Sequence, residues 1–174
     1  VFMAYELIQL GKAKKVLLID QGKRVEQRTC PIEKTGKCTK CKPYCHITSG
    51  FSGAGAFSDG KLTLYNKDDE DFFVGGELHK YVGVEETKKL VDYTDSIYLK
   101  FGADTSVEGI EHKDKIKKIS EKAKKQGLTL IDLPIRHLGT EKAHEVYKKL
   151  EDYLENNGIN MLFETTVKDL IVEE

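Results

Sequence analysis

The sequence has no long apolar run, no excess of one charge and no group of residues that resembles a catalytic centre. Its 174 residues carry a net charge of −1, so no general attraction to nucleic acid or to an anionic membrane is expected. No apolar stretch approaches a membrane span, and the first residues lack the basic and apolar regions of a secretory signal. With 39% hydrophobic and 33% charged residues, the composition predicts a soluble protein with a modest core.

Cysteine is confined to one segment, in the order C-x7-C-x2-C-x3-C, formed by Cys30, Cys38, Cys41 and Cys45. This crowding favours a reducing, cytoplasmic setting over a disulfide framework. One C-x2-C knuckle can hold a metal through two thiolates, and Cys30 and Cys45 would complete four ligands. The second knuckle of a zinc ribbon is absent, and the spacing matches neither ferredoxin run. Zinc or iron–sulfur ligation, a redox-active pair of Cys38 and Cys41, and incidental thiols are the three open interpretations.

A glycine-rich stretch, SGFSGAGAFSDGKL, occupies residues 49–62 and contains Gly50, Gly53, Gly55 and Gly60. Glycine at this density lets backbone approach a ligand closely, and successive N–H groups can form a cradle for phosphate. The alternative is a mobile linker between two structured halves. Phe51, Phe57 and Leu62 are apolar anchors that a free linker would not need, so the binding loop is favoured.

Residues 1–10 have a helical pattern that ends at Gly11, and the apolar run 16–19 ends at Asp20. Continuous apolarity predicts a strand buried on both faces of a parallel sheet. A helix, a buried strand and an acidic residue in this order match the second half of a dinucleotide-binding unit. In such units the carboxylate accepts hydrogen bonds from the ribose hydroxyls. The glycine turn of that unit would lie at or before Val1, so the chain is expected to be a fragment. The strand over 16–19 would then lack a neighbour and have an unpaired edge. The alternative for Asp20 is a turn residue.

Helical periodicity in the second half of the chain predicts helices over 84–101, 113–125 and 141–156. Strands are expected over 128–133, 159–163 and 166–172, with a loop over 134–140. In that loop, the basic pair of Arg136 and His137 could contact a phosphate or an anionic substrate. The favoured alternative is that the histidine is structural or merely exposed. Thr140 is expected to cap the helix that follows.

Five segments together resemble a known family: AYELIQLG with VLLIDQG (4–22), the cysteine segment (28–45), GAGAFSDGKL (53–62), RHLGT (136–140) and GINMLFETTVKDL (158–170). In this order they resemble flavoproteins of the glutathione-reductase type, with two dinucleotide-binding domains, and more narrowly the bacterial FAD-dependent dehydrogenases. The resemblance implies an α/β fold, an incomplete Rossmann-like FAD-binding domain with an inserted helical segment. Residues 1–62 and 158–174 would be the cofactor-binding parts, and 63–157 a helical insertion on the substrate side.

The resemblance also implies which residues hold the cofactor. Asp20, with Gln21 beside it, would hold the FAD ribose, although such flavoproteins more often have the longer Glu there. The loop formed by Gly53, Ala54, Gly55, Ala56, Phe57 and Ser58 would line the pyrophosphate or ribityl chain through backbone N–H groups. Val167 would meet the adenine through its backbone.

The chemistry of such enzymes belongs to the flavin, which passes a hydride between a donor and an acceptor, so no catalytic set is expected in the protein itself. The partner would be a small-molecule substrate, and any NAD(P) site would lie beyond Glu174. Two other classes remain open. One is a non-catalytic metal-binding module organised by the cysteines, and the other is a nucleotide-binding regulatory domain without redox chemistry.

Overall fold

The computed structural model describes residues 1–57, 60–65, 74 and 76–172. The chain divides into two compact units, Val1–Gly60 with Thr140–Glu174 and Lys61–Gly139. Its helices are α1 (Phe2–Gln9), α2 (Ile32–Thr35), α3 (His79–Val82), α4 (Val84–Lys100), α5 (Lys113–Lys125) and α6 (Thr140–Asn156). Its strands are β1 (Leu17–Ile19), β2 (Lys61–Thr63), β3 (Ile135–His137) and β4 (Asn160–Leu162). None of the helices in these described ranges combines the length and apolar character needed to cross a bilayer.

In the first unit, β1 and β4 form a parallel pair in which Leu17 lies opposite Asn160 and Ile19 opposite Leu162. Parallel neighbours need a long crossover between them, and α6 leads the chain back to β4. The pair is short, three residues in each strand. A parallel pair of this size does not test the predicted Rossmann-like α/β domain, which therefore stays a prediction.

The core of the first unit is built on one face of α6. Val146, Leu150 and Leu154 recur at helical spacing and are fully buried, with Tyr147 beside them, which confirms the predicted apolar stripe. Tyr5 of α1 lies against the same helix, its ring centroid 5.7 Å from that of Tyr153. Burial of each of these large side chains contributes about 1.5–3 kcal/mol.

The prediction that β1 is buried on both faces is wrong. Leu17 and Ile19 are 51% and 38% exposed. Burial on both faces is expected where helices cover both faces of a parallel sheet, whereas within the described residues this sheet consists only of β1 paired with β4. The unpaired edge expected for this strand is therefore observed.

The second unit contains the antiparallel pair of β2 and β3, in which Leu62 lies opposite Arg136. Its apolar core includes Ile97 of α4 and Phe101 directly after that helix. The helices α1, α4, α5 and α6 begin and end within one residue of their predicted limits. The division of the chain into two units places α6 in the first unit, whereas the predicted helical insertion, 63–157, included α6.

Two predicted strands are wrong and one strand lies where a loop was expected. Residues 128–133 and 166–172 are not strands, because most of their apolar side chains are exposed and, within the described residues, no neighbouring strand pairs with them. Strand β3 lies in the predicted loop 134–140. Ile135 exchanges backbone hydrogen bonds with Glu108, at 2.9 and 2.8 Å, as well as belonging to the pair with β2.

Candidate functional site

Asp20 lies at the carboxyl end of the parallel pair, directly after β1. Its N–H donates to the Leu162 carbonyl at 2.9 Å, and its own carbonyl accepts the Thr165 N–H at 3.1 Å. Its side-chain Oδ1 accepts the Gly22 N–H at 2.7 Å, as in a tight Asx turn. Both interpretations of Asp20 are therefore compatible with its place, since one carboxylate oxygen organises the turn and the other points to no described donor.

The glycine-rich loop packs directly on the turn that follows Asp20. A Cβ built on Gly22 would lie 2.3 Å from the backbone N of Gly50, so the two backbones touch. The Phe51 N–H donates to the Lys23 carbonyl at 3.1 Å. Gln21 Nε2 donates to the Ser49 hydroxyl of the loop, also at 3.1 Å. The turn after Asp20 and the glycine-rich loop, which were predicted separately from the sequence, are therefore in direct contact.

Gly22→Ala is expected to displace the loop and to lower the free energy of unfolding by about 1–3 kcal/mol, because backbone on both sides must move. Limited proteolysis should then cut the loop faster. Gly36→Ala is the matched control, since nothing lies within 4 Å of its added methyl group. It should cost about 1–2 kcal/mol through its left-handed turn and leave loop cleavage unchanged. Equal loop cleavage in the two variants would contradict the packing described here.

Arg28, which precedes the glycine-rich loop in the sequence, is buried against the backbone of residues 46–53. It was not identified from the sequence. Its side chain is 1% exposed and donates four hydrogen bonds to backbone carbonyls. Nε donates to His46 at 2.9 Å, Nη1 to Phe51 at 2.6 Å, and Nη2 to Ile47 at 2.6 Å and Gly53 at 2.7 Å. One side chain therefore fixes the path of residues 46–53.

The charge of Arg28 is held without a carboxylate in direct contact among the described residues. Burial lowers the pKa of its guanidinium from the ordinary value, and Asp20 and Cys45 act in the opposite direction. The guanidinium also lies over the Phe57 ring, 4.5 Å from its centroid. Arg28 therefore has a structural role in the loop, since four of its five N–H donors are occupied by backbone carbonyls.

The segment Gly53–Phe57 is a short 3₁₀ turn that is folded against α6. Ala56 is fully buried, and Phe57 meets the His144 ring edge-on at 4.4 Å. A Cβ on Gly55 would lie 3.1 Å from the Tyr147 hydroxyl. Ala54 is exposed, and Ser58 lies outside the described residues. The backbone contacts of this segment with a pyrophosphate stay a prediction.

Val167 lies in the irregular segment after β4 and is 57% exposed. The segment is tied to the Asp20 turn at its beginning, where the Glu164 N–H donates to the Gly22 carbonyl at 2.8 Å. Tyr44 from the cysteine segment donates to the Glu164 carboxylate at 2.8 Å. Val167 itself has no described contact with Asp20 or with the loop.

Glu151 of α6 was also missed from the sequence, because helical periodicity places it beside the apolar stripe without marking it as buried. It is 1% exposed and accepts the Val25 N–H at 3.0 Å and Arg24 Nη1 at 2.9 Å. Burial raises the pKa of the Glu151 carboxyl, while Val25 and Arg24 lower it. These contacts attach the segment after Asp20 to α6.

The four cysteines are free thiols and line one cavity of about 220 Å³. The wall of the cavity also contains Pro31, Thr39, Lys40, Lys42, His46 and Ile47. No group of three or more Cys, His, Asp or Glu side chains in the described part of the chain is arranged to hold a metal ion. The thiols are thus neighbours, as the spacing predicted, and ligation of zinc or an iron–sulfur cluster stays a prediction.

Arg136 and His137 of β3 have different surroundings. Arg136 is buried and forms a two-pronged ion pair with Asp95, with both N···O distances 2.7 Å. It also donates to the Asp104 carbonyl at 2.6 Å. His137 is exposed. Arg136 thus has a structural role, and the exposure of His137 agrees with the favoured alternative for the histidine.

The second unit contains a cavity of about 890 Å³ between α4, α5 and the segment before β3. Leu64, Val107, Ile110, Ile116, Leu130 and Pro134 form its apolar wall. Lys113, Lys117 and Lys124 lie along one face of α5, at the spacing of successive helical turns, and Asp92 and Asp132 also line the cavity. Its size is sufficient for a small molecule with both apolar and charged groups.

No protein-family model matches the chain, and no solved structure matches it. A protein of Clostridium beijerinckii, described as an uncharacterized protein, is 38% identical over 88 residues. The match covers 51% of this chain and 16% of that protein, so the chain spans only a small part of its relative.

Proposed function

We propose that this chain is part of an FAD-dependent oxidoreductase and that its first unit binds the adenosine and pyrophosphate part of FAD. The observation that carries the proposal is the packing of the glycine-rich loop on the Asp20 turn at the carboxyl end of two parallel strands. In open α/β sheets, ligands bind outside the carboxyl ends of the strands. When bound, the flavin would supply the hydride chemistry, with a small molecule as substrate.

Asp20 is the residue proposed to bind the ribose. Its Oδ1 is held by the Gly22 N–H, which fixes the carboxylate and leaves Oδ2 for the ribose hydroxyls. Asp20 also lies close enough to the amino end of α1 for its charge to act on Val1. A helix amino end favours anions, so pyrophosphate and ribose would be bound by adjacent groups.

The glycines of the turn and loop fit this role because they remove side chains where backbone must come close. Gly50 has φ = +117°, and a Cβ there would lie 2.5 Å from the Lys23 carbonyl oxygen. Arg28 is not proposed as a phosphate contact, since its side chain is buried and four of its five N–H donors are occupied by backbone carbonyls of residues 46–53. Its role in the proposal is to hold the loop in a shape suited to the cofactor.

The remaining parts of the proposal concern substrate and location. The cavity of the second unit is a candidate place for the small-molecule substrate, because it joins an apolar wall to charged groups. Four free cysteines in one segment support a reducing, cytoplasmic setting. The metal-binding module is the alternative with an observation of its own, since the same four thiols line one cavity.

Titration of the whole chain with FAD, followed by quenching of flavin fluorescence, tests the proposal. We expect saturable quenching, and we expect Asp20→Asn to weaken binding about tenfold, since a hydrogen bond to a charged group contributes roughly 1.5–3 kcal/mol. Asp169→Asn, in the exposed carboxyl-terminal segment, is the matched control and should bind as the unchanged chain does.

Three outcomes would count against the proposal. Binding of ADP without binding of FAD would indicate a nucleotide-binding regulatory domain. A colourless chain that releases zinc on acidification and binds neither nucleotide would favour the metal-binding module. Equal affinity of FAD for the Asp20→Asn variant and the unchanged chain would remove Asp20 from the site.

A further inference from the structure

The cavity of the second unit is lined by ionised groups of both signs, and the signs are separated by element. Helix α5 contributes three lysines and one glutamate, which are Lys113, Lys117, Lys124 and Glu121. Among the described lining residues, the charged groups of α4 and of the segment before β3 are all carboxylates, which are Asp92, Asp95 and Asp132. A molecule with a negative charge at one end and a positive charge at the other is complementary to such a cavity.

Two of the three carboxylates give the second wall its negative charge. The charge of Asp95 is offset by Arg136, which is paired with it at 2.7 Å. Asp92 accepts the Tyr65 hydroxyl at 2.7 Å. Burial and this hydrogen bond raise the pKa of Tyr65 to about 12, so the phenol is a neutral donor at neutral pH and leaves the Asp92 charge in place. Asp92 and Asp132 are therefore the groups that favour a cation.

Helix α5 lies along this cavity without burying any of its own residues, all of which are described. A surface helix normally buries one face, and most of the stability of helices in proteins comes from that packing. Lys113, Lys117, Ser120 and Lys124 recur at helical spacing on one face of α5, and this face lines the cavity. A molecule bound in the cavity would therefore give α5 a packing partner.

The apolar part of the cavity wall is open to solvent. Ile110 and Leu130 line it and are 53% and 38% exposed. In the segment before β3, Leu130, Asp132 and Pro134 line the cavity, so every second residue is on the same side. Removing apolar surface from water is favourable, so the wall favours a ligand with an apolar body between its two charges. The volume of about 890 Å³ is within the range of small-molecule sites.

We propose that this cavity binds short peptides with apolar side chains and free ends. The peptide carboxylate lies at the α5 lysines, and the ammonium group lies at Asp92 and Asp132. Ser120, between Lys117 and Lys124 on the same face of α5, offers a hydroxyl to the peptide link. Binding itself does not require flavin, whereas a role for such peptides as substrates of the enzyme would rest on the proposed function.

Isothermal titration of the whole chain with leucyl-leucine, without added FAD, tests the proposal. We expect saturable binding. N-acetyl-leucyl-leucine lacks the ammonium group and leucyl-leucinamide lacks the carboxylate, so each should bind about fivefold more weakly, the effect of losing one exposed ion pair. Glycylglycine keeps both charges without the apolar side chains and should also bind more weakly. Tighter binding of ε-aminocaproic acid, which has both charges and no peptide link, would overturn the assignment to peptides.

Variants assign each charge of the ligand to its wall. Lys117→Gln should weaken binding of leucyl-leucine about fivefold and leave binding of leucyl-leucinamide unchanged, because the amide has no carboxylate to lose. Asp132→Asn should weaken binding of leucyl-leucine similarly and leave binding of N-acetyl-leucyl-leucine unchanged. Lys122→Gln and Asp114→Asn are the matched controls, since both residues are exposed and neither lines the cavity.

Hydrogen exchange of the unchanged chain locates the ligand without any variant. Leucyl-leucine should slow exchange of the amides of α5 and of residues 128–134, and it should leave α6 of the first unit unchanged. Circular dichroism establishes that the variants fold. No saturable binding of leucyl-leucine, equal affinity for the peptide and its one-charge analogues, or protection confined to the first unit would overturn the proposal. Equal losses in the lining and control variants would overturn the assignment of the charges.

Discussion

Replacing Arg28 with methionine is expected to lower the free energy of unfolding by about 3–5 kcal/mol, since carbonyl groups that lose a buried donor each cost about 1–3 kcal/mol. The side chain binds four carbonyls between residues 46 and 53 while almost fully buried. Methionine fills much of the volume but supplies no donor. The loss should be smaller than four full penalties because part of the freed loop can reach water. Urea unfolding of the whole chain measures it.

Arg28→Lys separates charge from geometry. A lysine ammonium keeps the charge, but its donors radiate from one atom and cannot replace a planar fork. We expect it to recover only part of the lost stability. Lys37→Met, in the exposed part of the same segment, is the control and should change stability by no more than about 0.5 kcal/mol. If Arg28→Met behaves like this control, the loop is not held by the arginine.

The long helices could be predicted from the sequence because their signals are local. Apolar residues recur with helical spacing in α6, and a glycine follows both α5 and α6 near its end, so the limits hold to within one residue. The position of Asp20 directly after β1 follows from an equally local pattern, an apolar run that ends in an acidic residue. Its role toward ribose depends on a ligand and stays a prediction.

Strand β3 could not be predicted, because what makes it a strand is distant in sequence. Residues 128–133 have the more apolar pattern, yet it is Ile135–His137 that finds β2 and the backbone of Glu108. Strand propensity expresses the fit to a neighbouring strand, and sequence patterns alone do not name that neighbour. Conversely, Leu128 and Ile131 belong to an apolar run that has no neighbouring strand, and both side chains are exposed.

Arg28 escaped prediction for a related reason. Its partners are backbone carbonyls, which every residue has, so no acidic residue at a characteristic spacing marks it. Arg136 differs in having Asp95 as a carboxylate partner, yet 41 residues separate the two. The glycine loop and the cysteine segment were recognised as unusual, but their common anchor became visible only when the contacts were known.

Asp95→Asn is expected to destabilise the chain by about 3–5 kcal/mol, because it leaves the Arg136 guanidinium buried without its carboxylate. The two side chains are 6% and 14% exposed and share two hydrogen bonds of 2.7 Å. The Asp95 carboxylate, which accepts these hydrogen bonds, raises the pKa of Arg136. A guanidinium stays protonated even without that carboxylate, so the variant buries an unpaired charge. Urea unfolding should therefore show a large loss at neutral pH.

A double-mutant cycle identifies the source of that loss. Asp95→Leu combined with Arg136→Met replaces both charges by apolar groups, and the double variant should be more stable than the sum of the single losses predicts, by about 1–3 kcal/mol. The Lys88 and Glu85 pair is the matched control, because its carboxylate side chain is 83% exposed and its N···O distance is 3.3 Å. Its coupling should not exceed about 1 kcal/mol. Equal coupling in the two pairs would mean that burial does not strengthen the Arg136–Asp95 interaction.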